Sequence, residues 1–570
     1  MVRFSLFAVA TAAVLCAIWR TYQFGDIDLV SDQAFFTQWV RRLSESTHLL
    51  PPNEEGGAWP LELIRDERNF LGVLLGQIYQ AHSLIFTVVS VLLYLISAAF
   101  FGASVETIVA VSIAFSATAL FLLSAFPAFI RNISGISDRG AVTMIAIILV
   151  LACSNSFFNV FSAFGPHNAG VMTLILAVIV TQIWVTPSQA GVTHTSTRLL
   201  TIAMFVSQLA AVYTHYANVF ILPAATVMAL ALQPNTELLK RVVSIIKYSL
   251  IMVLAFLPWI AVVIVYDPSI GGGNSKQTFG GQLATFVFSN NGWPASNAIG
   301  RITHWFKEAS AFYSVPGLAL GMVGVVGLAW RNGTTLPFTI VLTHILMGIF
   351  LGIFGQYDRT VAYLIPMLIL GGGWTIYIAG TCVFEKTRPA SVPKTIGLAV
   401  ASLVAISTTL HIAVEIPRLM APDSVKNWGP LVGPSHWKSV VAEFDRRIPI
   451  GSYLIPWDYG THHQYRSMSE KAGHTIKVMR PLETLDSHGK SGTLKHYIHS
   501  RGLTLSADNP VFILAPKTIE IDRIRSAFSA VVGQKGFGLA TVKKFILVGE
   551  RTLPRRKHGP GGIHLYLVKW

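Results

Sequence analysis

What most restricts the fold of this chain is a recurring run of uncharged, apolar residues. After Arg3 a first run covers residues 4–18, and others follow at roughly 70–101, 105–129, 140–163, 167–186, 198–215, 217–232, 244–266, 312–330, 336–354, 360–383 and 394–414. Each is near the about 20 residues with which an α-helix crosses a bilayer. In lipid the backbone must satisfy its own hydrogen bonds, so such runs can only be helices. Hydrophobic residues make up 52% of the 570, charged residues 12%, and mean hydropathy is +0.55, which excludes an ordinary soluble domain.

The first run resembles a signal peptide in length, but no small-x-small cleavage site follows it. Trp19, Arg20 and Tyr22 instead form an interfacial belt, so the run reads as an uncleaved first helix. Farther on, basic residues mark alternate loops: Arg131 and Arg139, Arg198, Lys240 with Arg241 and Lys247, Arg331, and Lys386 with Arg388 and Lys394. The positive-inside rule places these loops in the cytoplasm. The loops at 164–167, 267–311 and 355–359 then lie outside, with everything after 414. If residues 82–101 span the membrane, the first loop is cytoplasmic; if they lie along the interface or re-enter, it is external. Charge alone leaves both open.

From about 415 the pattern changes. Strand signals at residues 452–457, 474–479, 511–515, 542–548 and 563–568 alternate with helix signals at 437–447 and 519–532. This predicts a soluble α/β domain over 415–570, following a transmembrane domain over 1–414. The net charge of +15 is concentrated there: residues 415–570 hold 23 Lys+Arg against 12 Asp+Glu, which gives +11, and leaves +4 for the rest. A basic domain beside a bilayer suits anionic head groups or an anionic envelope polymer, and no nucleic-acid motif accompanies the charge. Cys16, Cys153 and Cys382 sit in apolar runs, so no disulfide framework is readable.

Between the first two apolar runs stands GDIDLVSDQAFFTQWVRRL, residues 25–43. Asp26, Asp28 and Asp32 cluster there. After them Phe35, Trp39 and Leu43 recur at helical spacing opposite Gln38, Arg41 and Arg42, as in an interfacial helix. Ser31 caps this helix and places Asp32 in its first turn, where the helix dipole favours a carboxylate able to accept a proton. The phrase Asp32-Gln33-Ala34-Phe35, followed by Trp39, resembles the first external loop of the GT-C glycosyltransferases, membrane enzymes that take sugars from polyprenyl-phosphate carriers. In that family the segment after this loop contains juxtamembrane helices, with a His-Pro-Pro-like phrase where His82 stands. The resemblance therefore implies eleven spanning helices plus interfacial ones, an external Asp32 loop and an external C-terminal domain.

Other phrases carry the same resemblance. SAFGPHN (162–168) stands where the second external loop often holds an active-site charge, here occupied by His167 and Asn168. YTHYANVFILP (213–223) resembles a Thr-Lys/His-Tyr phrase ending in Pro and singles out His215 and Tyr216. QYDRTVAYLIP (356–366) resembles an Arg-Tyr-Leu-Leu-Pro phrase at an outer helix start, with Arg359 suited to a lipid phosphate. Arg301, His304 and Lys307 add positive charge on the same side. IPWDYG (455–460) is similar to the Trp-Trp-Asp-Tyr-Gly signature of oligosaccharyltransferases, with Pro456 in place of the first Trp. No Cys or His set has zinc-site spacing, and Gly371-Gly372-Gly373 reads as a helix-packing patch.

What the resemblance implies is an inverting hexosyl- or pentosyltransferase in the cell membrane, in bacteria the inner one. Asp32 would be the base, with Asp28, His167, His215, Tyr216, Arg359 and Arg301 binding substrate. The partners would be a polyprenyl-phosphate-linked sugar donor, a glycan, lipid or protein acceptor and membrane lipids. A divalent metal cofactor stays open, because Gln33 and Asn168 stand where acidic ligands are expected. The competing classes are a transporter or flippase for a lipid-linked or anionic substrate, and a non-catalytic envelope-assembly protein. A transporter predicts paired halves, and no half-to-half correspondence is visible.

Overall fold

The structure, a computed structural model, describes residues 2–23, 92, 96, 105–155, 166–186, 194–214, 216–233, 237–266, 298–351, 363–384 and 394–420, and, with short breaks, 437–482, 509–532, 544–551 and 562–569. The described residues fall into two compact units, one of helices up to Met420 and one with a β-sheet from Trp437 onward.

The helical unit contains α1 (Val2–Gln23), α2 (Val105–Ser134), α3 (Asp138–Ser154), α4 (Pro166–Val185), α5 (His194–Thr214) and α6 (Tyr216–Ala231). It continues with α7 (Leu238–Tyr266), α8 (Ala298–Phe312), α9 (Val315–Asn332), α10 (Thr335–Leu351), α11 (Ile365–Phe384) and α12 (Lys394–Met420). Among the described residues three stretches, Ile113–Ile133, Ile365–Cys382 and Ile396–Met420, are long and apolar enough to cross a membrane; a fourth is added if Trp305–Phe312 and Val315–Arg331, which meet at 104°, count as one broken span. Shorter apolar helices at Phe4–Trp19, Ala169–Val185, Arg198–Thr214, Ile221–Ala231 and Thr335–Met347 coincide with five more of the expected segments. One expectation is corrected. The stretch read as the end of a loop reaching 311 is helical from Ala298, because Ile299, Ile302, Trp305, Phe306, Ala309 and Phe312 recur at helical spacing.

Helices packed in lipid gain little from the hydrophobic effect, so close backbone approach must hold them. Here α9 crosses α11 through glycine. A Cβ on Gly324 would overlap the carbonyl oxygen of Gly371, and one on Gly371 would overlap that of Gly321. The other side of α11 meets α3, where a Cβ on Gly373 would lie 2.5 Å from Ile148 Cγ1. The glycine patch at 371–373 is thus a two-sided packing surface.

Polar side chains tie the bundle at three levels. At one end Gly135, at φ 63°, turns the chain between α2 and α3, and Arg131 Nη1 meets Asp138 Oδ1 at 2.6 Å. The same end has Gln182 of α4 clamping the turn between α9 and α10: its Nε2 donates to Gly333 O (3.2 Å) and its Oε1 accepts from Leu336 N (2.9 Å). Next to this clamp, Gln208 Nε2 donates to Thr181 Oγ1 and Thr226 Oγ1, each at 3.0 Å, while Tyr248 Oη donates to Gln208 Oε1. That network joins α4, α5, α6 and α7. At the opposite end Asn218 Nδ2 donates to Gly170 O (3.2 Å) and Ala211 O (2.9 Å), gathering the start of α4, the end of α5 and the start of α6.

The second unit holds α13 (Trp437–Arg447), β1 (Tyr453–Pro456), β2 (Lys477–Val478), β3 (Val511–Pro516), α14 (Ile521–Val532), β4 (Lys544–Arg551) and β5 (Ile563–Lys569). The strand order is β2-β1-β3-β5-β4, with β1 parallel to β2 and β3, and β5 antiparallel to β3 and β4. Alternating side chains feed two cores. Ile455, Trp457, Ile513 and Tyr566 pack with Ile524 and Phe528 of α14. Leu454, Phe512, Leu514 and Leu565 pack with Val440, Val441 and Phe444 of α13. A register shift between Leu547 and Gly549 bends the edge strand β4. Asp445, near the end of α13, accepts from Tyr465 Oη and from Ser469 Oγ (2.8 Å), which pins the β1–β2 connection to that helix. Burial, reinforced by the Asp445 carboxylate, pushes the Tyr465 phenol up, so it keeps its proton.

The glycine contact makes a direct prediction. Gly324→Ala or Gly371→Ala should lower the thermal unfolding midpoint of the detergent-solubilised protein, at a cost of about 1–3 kcal/mol or more each. Gly380→Ala, whose added carbon meets nothing within 4 Å, should be neutral or slightly stabilising. Equal midpoints for all three variants would refute the close crossing.

Candidate functional site

Of the side chains singled out from the sequence, Asp28, Asp32, His215 and Arg359 lie outside the described residues. The backbone positions of the other three are given: His167 opens α4, Tyr216 opens α6 and Arg301 stands in the first turn of α8. The hydrogen bond from Asn218 to Gly170 O joins the first turns of α4 and α6, so His167 and Tyr216 begin neighbouring helices at the same end of the bundle. Arg301 belongs to a separate element.

At this end the described side chains form a buried polar cluster. It is built on α12, whose apolar residues mostly face outward: only 6% of its membrane-length window is buried. The side it turns to the bundle follows the spacing 397, 401, 404, 408, 411, 415 and 418, reading Gly, Ala, Val, Thr, His, Glu, Arg. The stripe is small at one end of the helix and charged at the other. The alternating four- and three-residue spacing keeps it on a single face.

His411 and Glu415 are both wholly buried. His411 Nδ1 lies 2.7 Å from Oγ of Ser314, the N-cap of α9, and its ring lies tilted against that of Tyr313, with centroids 4.7 Å apart. Only glycine fits at 317, since a Cβ there would be 2.5 Å from His411 Nδ1. Glu415 Oε1 accepts from Arg418 Nη1 at 3.0 Å, and Glu415 Oε2 accepts from Asn155 Nδ2 at 3.3 Å. Asn155 is the C-cap of α3. Three helix ends therefore meet through two neighbouring hydrogen-bonded groups, and among the described residues His411 Nε2 is buried without a hydrogen-bond partner. If Ser314 donates to Nδ1, the orphan atom is an N–H; if the ring donates, it is a lone pair. The described part of the site is thus a paired carboxylate and guanidinium beside an imidazole with one open nitrogen. These residues were legible as ionisable groups inside an apolar helix, a pattern that leans functional in membranes. The apolar run at 394–414 includes His411 but stops short of Glu415 and Arg418, whereas α12 continues to Met420.

Removing one partner of a buried ion pair strands the other. Arg418→Met, which strands the wholly buried Glu415 carboxylate, should therefore cost about 3–5 kcal/mol of stability, read as a large fall in unfolding temperature in detergent. The double replacement Glu415→Met with Arg418→Met should recover most of that loss. A double variant as unstable as the single one would show that the pair's value lies elsewhere than in mutual neutralisation.

No protein-family model matches the sequence, and no curated protein matches it either. Solved structures do match. ArnT from Cupriavidus metallidurans, in the apo state, superimposes with a TM-score of 0.52 at 10% identity, over 100% of this chain and 98% of its own. The archaeal oligosaccharyltransferase AglB from Archaeoglobus fulgidus, in complex with an inhibitory peptide and a dolichol-phosphate, gives 0.50 at 11% identity over 94% of this chain and 71% of its own. The Archaeoglobus fulgidus oligosaccharyltransferase tethered to an acceptor peptide containing the NVT sequon gives 0.50 at 11%, over 93% and 71%. The chain has the fold shared by these GT-C proteins, as the resemblance of its loop phrases implies.

Proposed function

We propose that the protein is an integral membrane glycosyltransferase that moves a sugar from a polyprenyl-phosphate carrier to a glycan, lipid or protein acceptor on the outer face of the cell membrane. The observation that carries this reading is the full-length match to ArnT, which includes the sheet-bearing unit as well as the helices. A dolichol-phosphate in the matching AglB structure supports a lipid-phosphate donor. Orientation follows from charge. Arg139, Arg198, Lys240, Arg241 and Arg331 lie towards the end of the bundle opposite the His411–Glu415 cluster, and the positive-inside rule makes their end cytoplasmic. His167, Tyr216 and the cluster then face outward, where a flipped carrier lipid presents its sugar.

In the proposed reaction the Asp32 carboxylate takes the proton from an acceptor hydroxyl. The acceptor oxygen bonds to the anomeric carbon, the bond from that carbon to the carrier phosphate oxygen breaks, and polyprenyl phosphate leaves with the electron pair. Attack opposite the leaving group inverts the anomeric centre. Arg359 and Arg301 would stabilise the charge that gathers on the phosphate, an electrostatic contribution often larger than proton transfer itself. Asp28, His167, His215 and Tyr216 would orient sugar and acceptor. Among the described residues, which do not include Asp28 or Asp32, no group of three His, Cys, Asp or Glu side chains is placed to hold a metal ion.

The test is transfer by the purified protein in nanodiscs from a mixed pool of polyprenyl-phosphate sugars. Asp32→Asn keeps the shape but removes the basicity, so turnover should fall by at least about 100-fold while the unfolding temperature stays put. Near-normal transfer by that variant would remove Asp32 from the mechanism, and no transfer by the unaltered protein from any donor in the pool would count against the reading as a whole.

A further inference from the structure

On the α14 side of the sheet, strand register brings Trp457, Ala515, His564 and Glu550 into one row across β1, β3, β5 and β4. The row stands at the carboxyl ends of β1 and β3, where the connections part. The chain leaving β1 passes to the α13 side, where Tyr465 packs, and the chain leaving β3 enters α14 on the other. In open α/β sheets such a parting opens a crevice in which ligands bind. Two nitrogens of this row, Trp457 Nε1 and His564 Nε2, are buried without a hydrogen-bond partner among the described residues. Only the methyl of Ala515 stands between the two residues, whose Cα atoms are about 10 Å apart at two strand spacings.

An indole nitrogen can only donate. The tautomer of His564 follows from its neighbours: Tyr566 Oη lies 2.8 Å from Nδ1, and Glu550 Oε1 lies 3.4 Å from Nε2. A carboxylate on that side favours the N–H on Nε2, with the tyrosine hydroxyl donating to Nδ1. Burial, with Glu550 adding to it, pushes the Tyr566 phenol up, so the hydroxyl keeps the proton it donates. Both open nitrogens are thus donors. Long cationic side chains stand beside them: the Arg523 guanidinium is 5.5 Å from the Trp457 ring centre, and Lys517 Nζ meets Glu550 Oε1 at 2.5 Å. Two nearby acids are engaged, Asp522 by Arg525 at 2.6 Å and Asp458 by Thr461 N at 2.6 Å. We infer that this rim binds an oxyanion of an acidic glycan, a carboxylate or a phosphate group, which Arg523 and Lys517 draw from solvent and the two buried N–H groups orient. Charge-assisted bonds of this kind are the strong ones. Glu550 competes with the ligand for Lys517. The choice of a glycan rests on the transferase reading; the oxyanion chemistry does not, and its test reads binding rather than transfer.

The test titrates the whole chain, in nanodiscs of phosphatidylcholine, with trigalacturonate, glucose 1-phosphate and the neutral maltotriose, and follows the heat of binding. At least one anion should bind, the tighter one identifying the charged group of the glycan, and maltotriose should not. Trp457→Phe keeps an aromatic ring and deletes the N–H, so affinity should fall about tenfold. Lys517→Gln should weaken binding about fivefold, while Glu550→Gln, by freeing Lys517, should tighten it by a similar factor. A purely structural role for this pair predicts no such opposite signs. No binding of either anion, equal binding of maltotriose, or unchanged affinity in all three variants would overturn the inference. A second measurement needs no variant. In the unaltered protein the bound anion should slow acylation of Lys517 by a water-soluble reagent, followed by mass spectrometry. An unchanged rate with the anion bound would put the binding elsewhere and overturn the assignment.

Discussion

In a bundle sealed from water, a polar side chain must find its partner within the protein or remain at a cost of about 1–3 kcal/mol. That requirement organises the helical unit. Gln182, Gln208, Asn218 and Glu415 each sit at 0% exposure, and each joins helices that apolar packing alone would leave free to slide. Apolar contacts are non-directional and tolerate a shift of one turn. An amide held to a named carbonyl does not. The polar bonds set helix register, which decides the side chains that stand together at each end.

Close backbone contact supplies what hydrogen bonds cannot. The crossing of Gly324 on Gly371 brings α9 and α11 within reach of each other's carbonyls, and Gly373 lets Ile148 of α3 seat on the same helix. This fixes the start of α9, and with it the Ser314 hydroxyl that holds His411. Glycine at 317 completes the arrangement by leaving room for the imidazole. The small residues of α9 and α11 thus govern the position of ionisable groups on α12, none of which they resemble chemically.

Much of this was readable beforehand where one physical rule dominates. Uncharged runs near bilayer length gave helices, and the strand signals after 415 gave the strands at 453–456, 511–516 and 563–569 almost to the residue. The strand expected over 474–479 shrinks to Lys477–Val478, because it pairs with β1 alone at the edge of the sheet. Two features escaped for identifiable reasons. A search for spans overlooks α8, which at 15 residues is too short and too amphipathic to cross a bilayer. His411 and Glu415 were single polar residues in an apolar run, and nothing local to them names Ser314 or Asn155, which lie 97 and 260 residues away in the chain. The expected catalytic groups came from phrase resemblance rather than from folding rules, and Asp32 belongs to a stretch outside the described residues.

The graded stripe on α12 also bears on how the protein is made. A helix carrying a glutamate and an arginine enters a bilayer reluctantly, since charged residues disfavour insertion when no partner is at hand. Asn155, Tyr313 and Ser314, which meet the charged end of α12 from outside it, precede it in the chain. During synthesis they are in place before α12 leaves the ribosome, and Arg418 follows Glu415 by less than one turn. The order of helices along the sequence thus delivers the partners on α3 and α9 ahead of the groups that need them, and α12 can enter against an assembled face rather than into bare lipid.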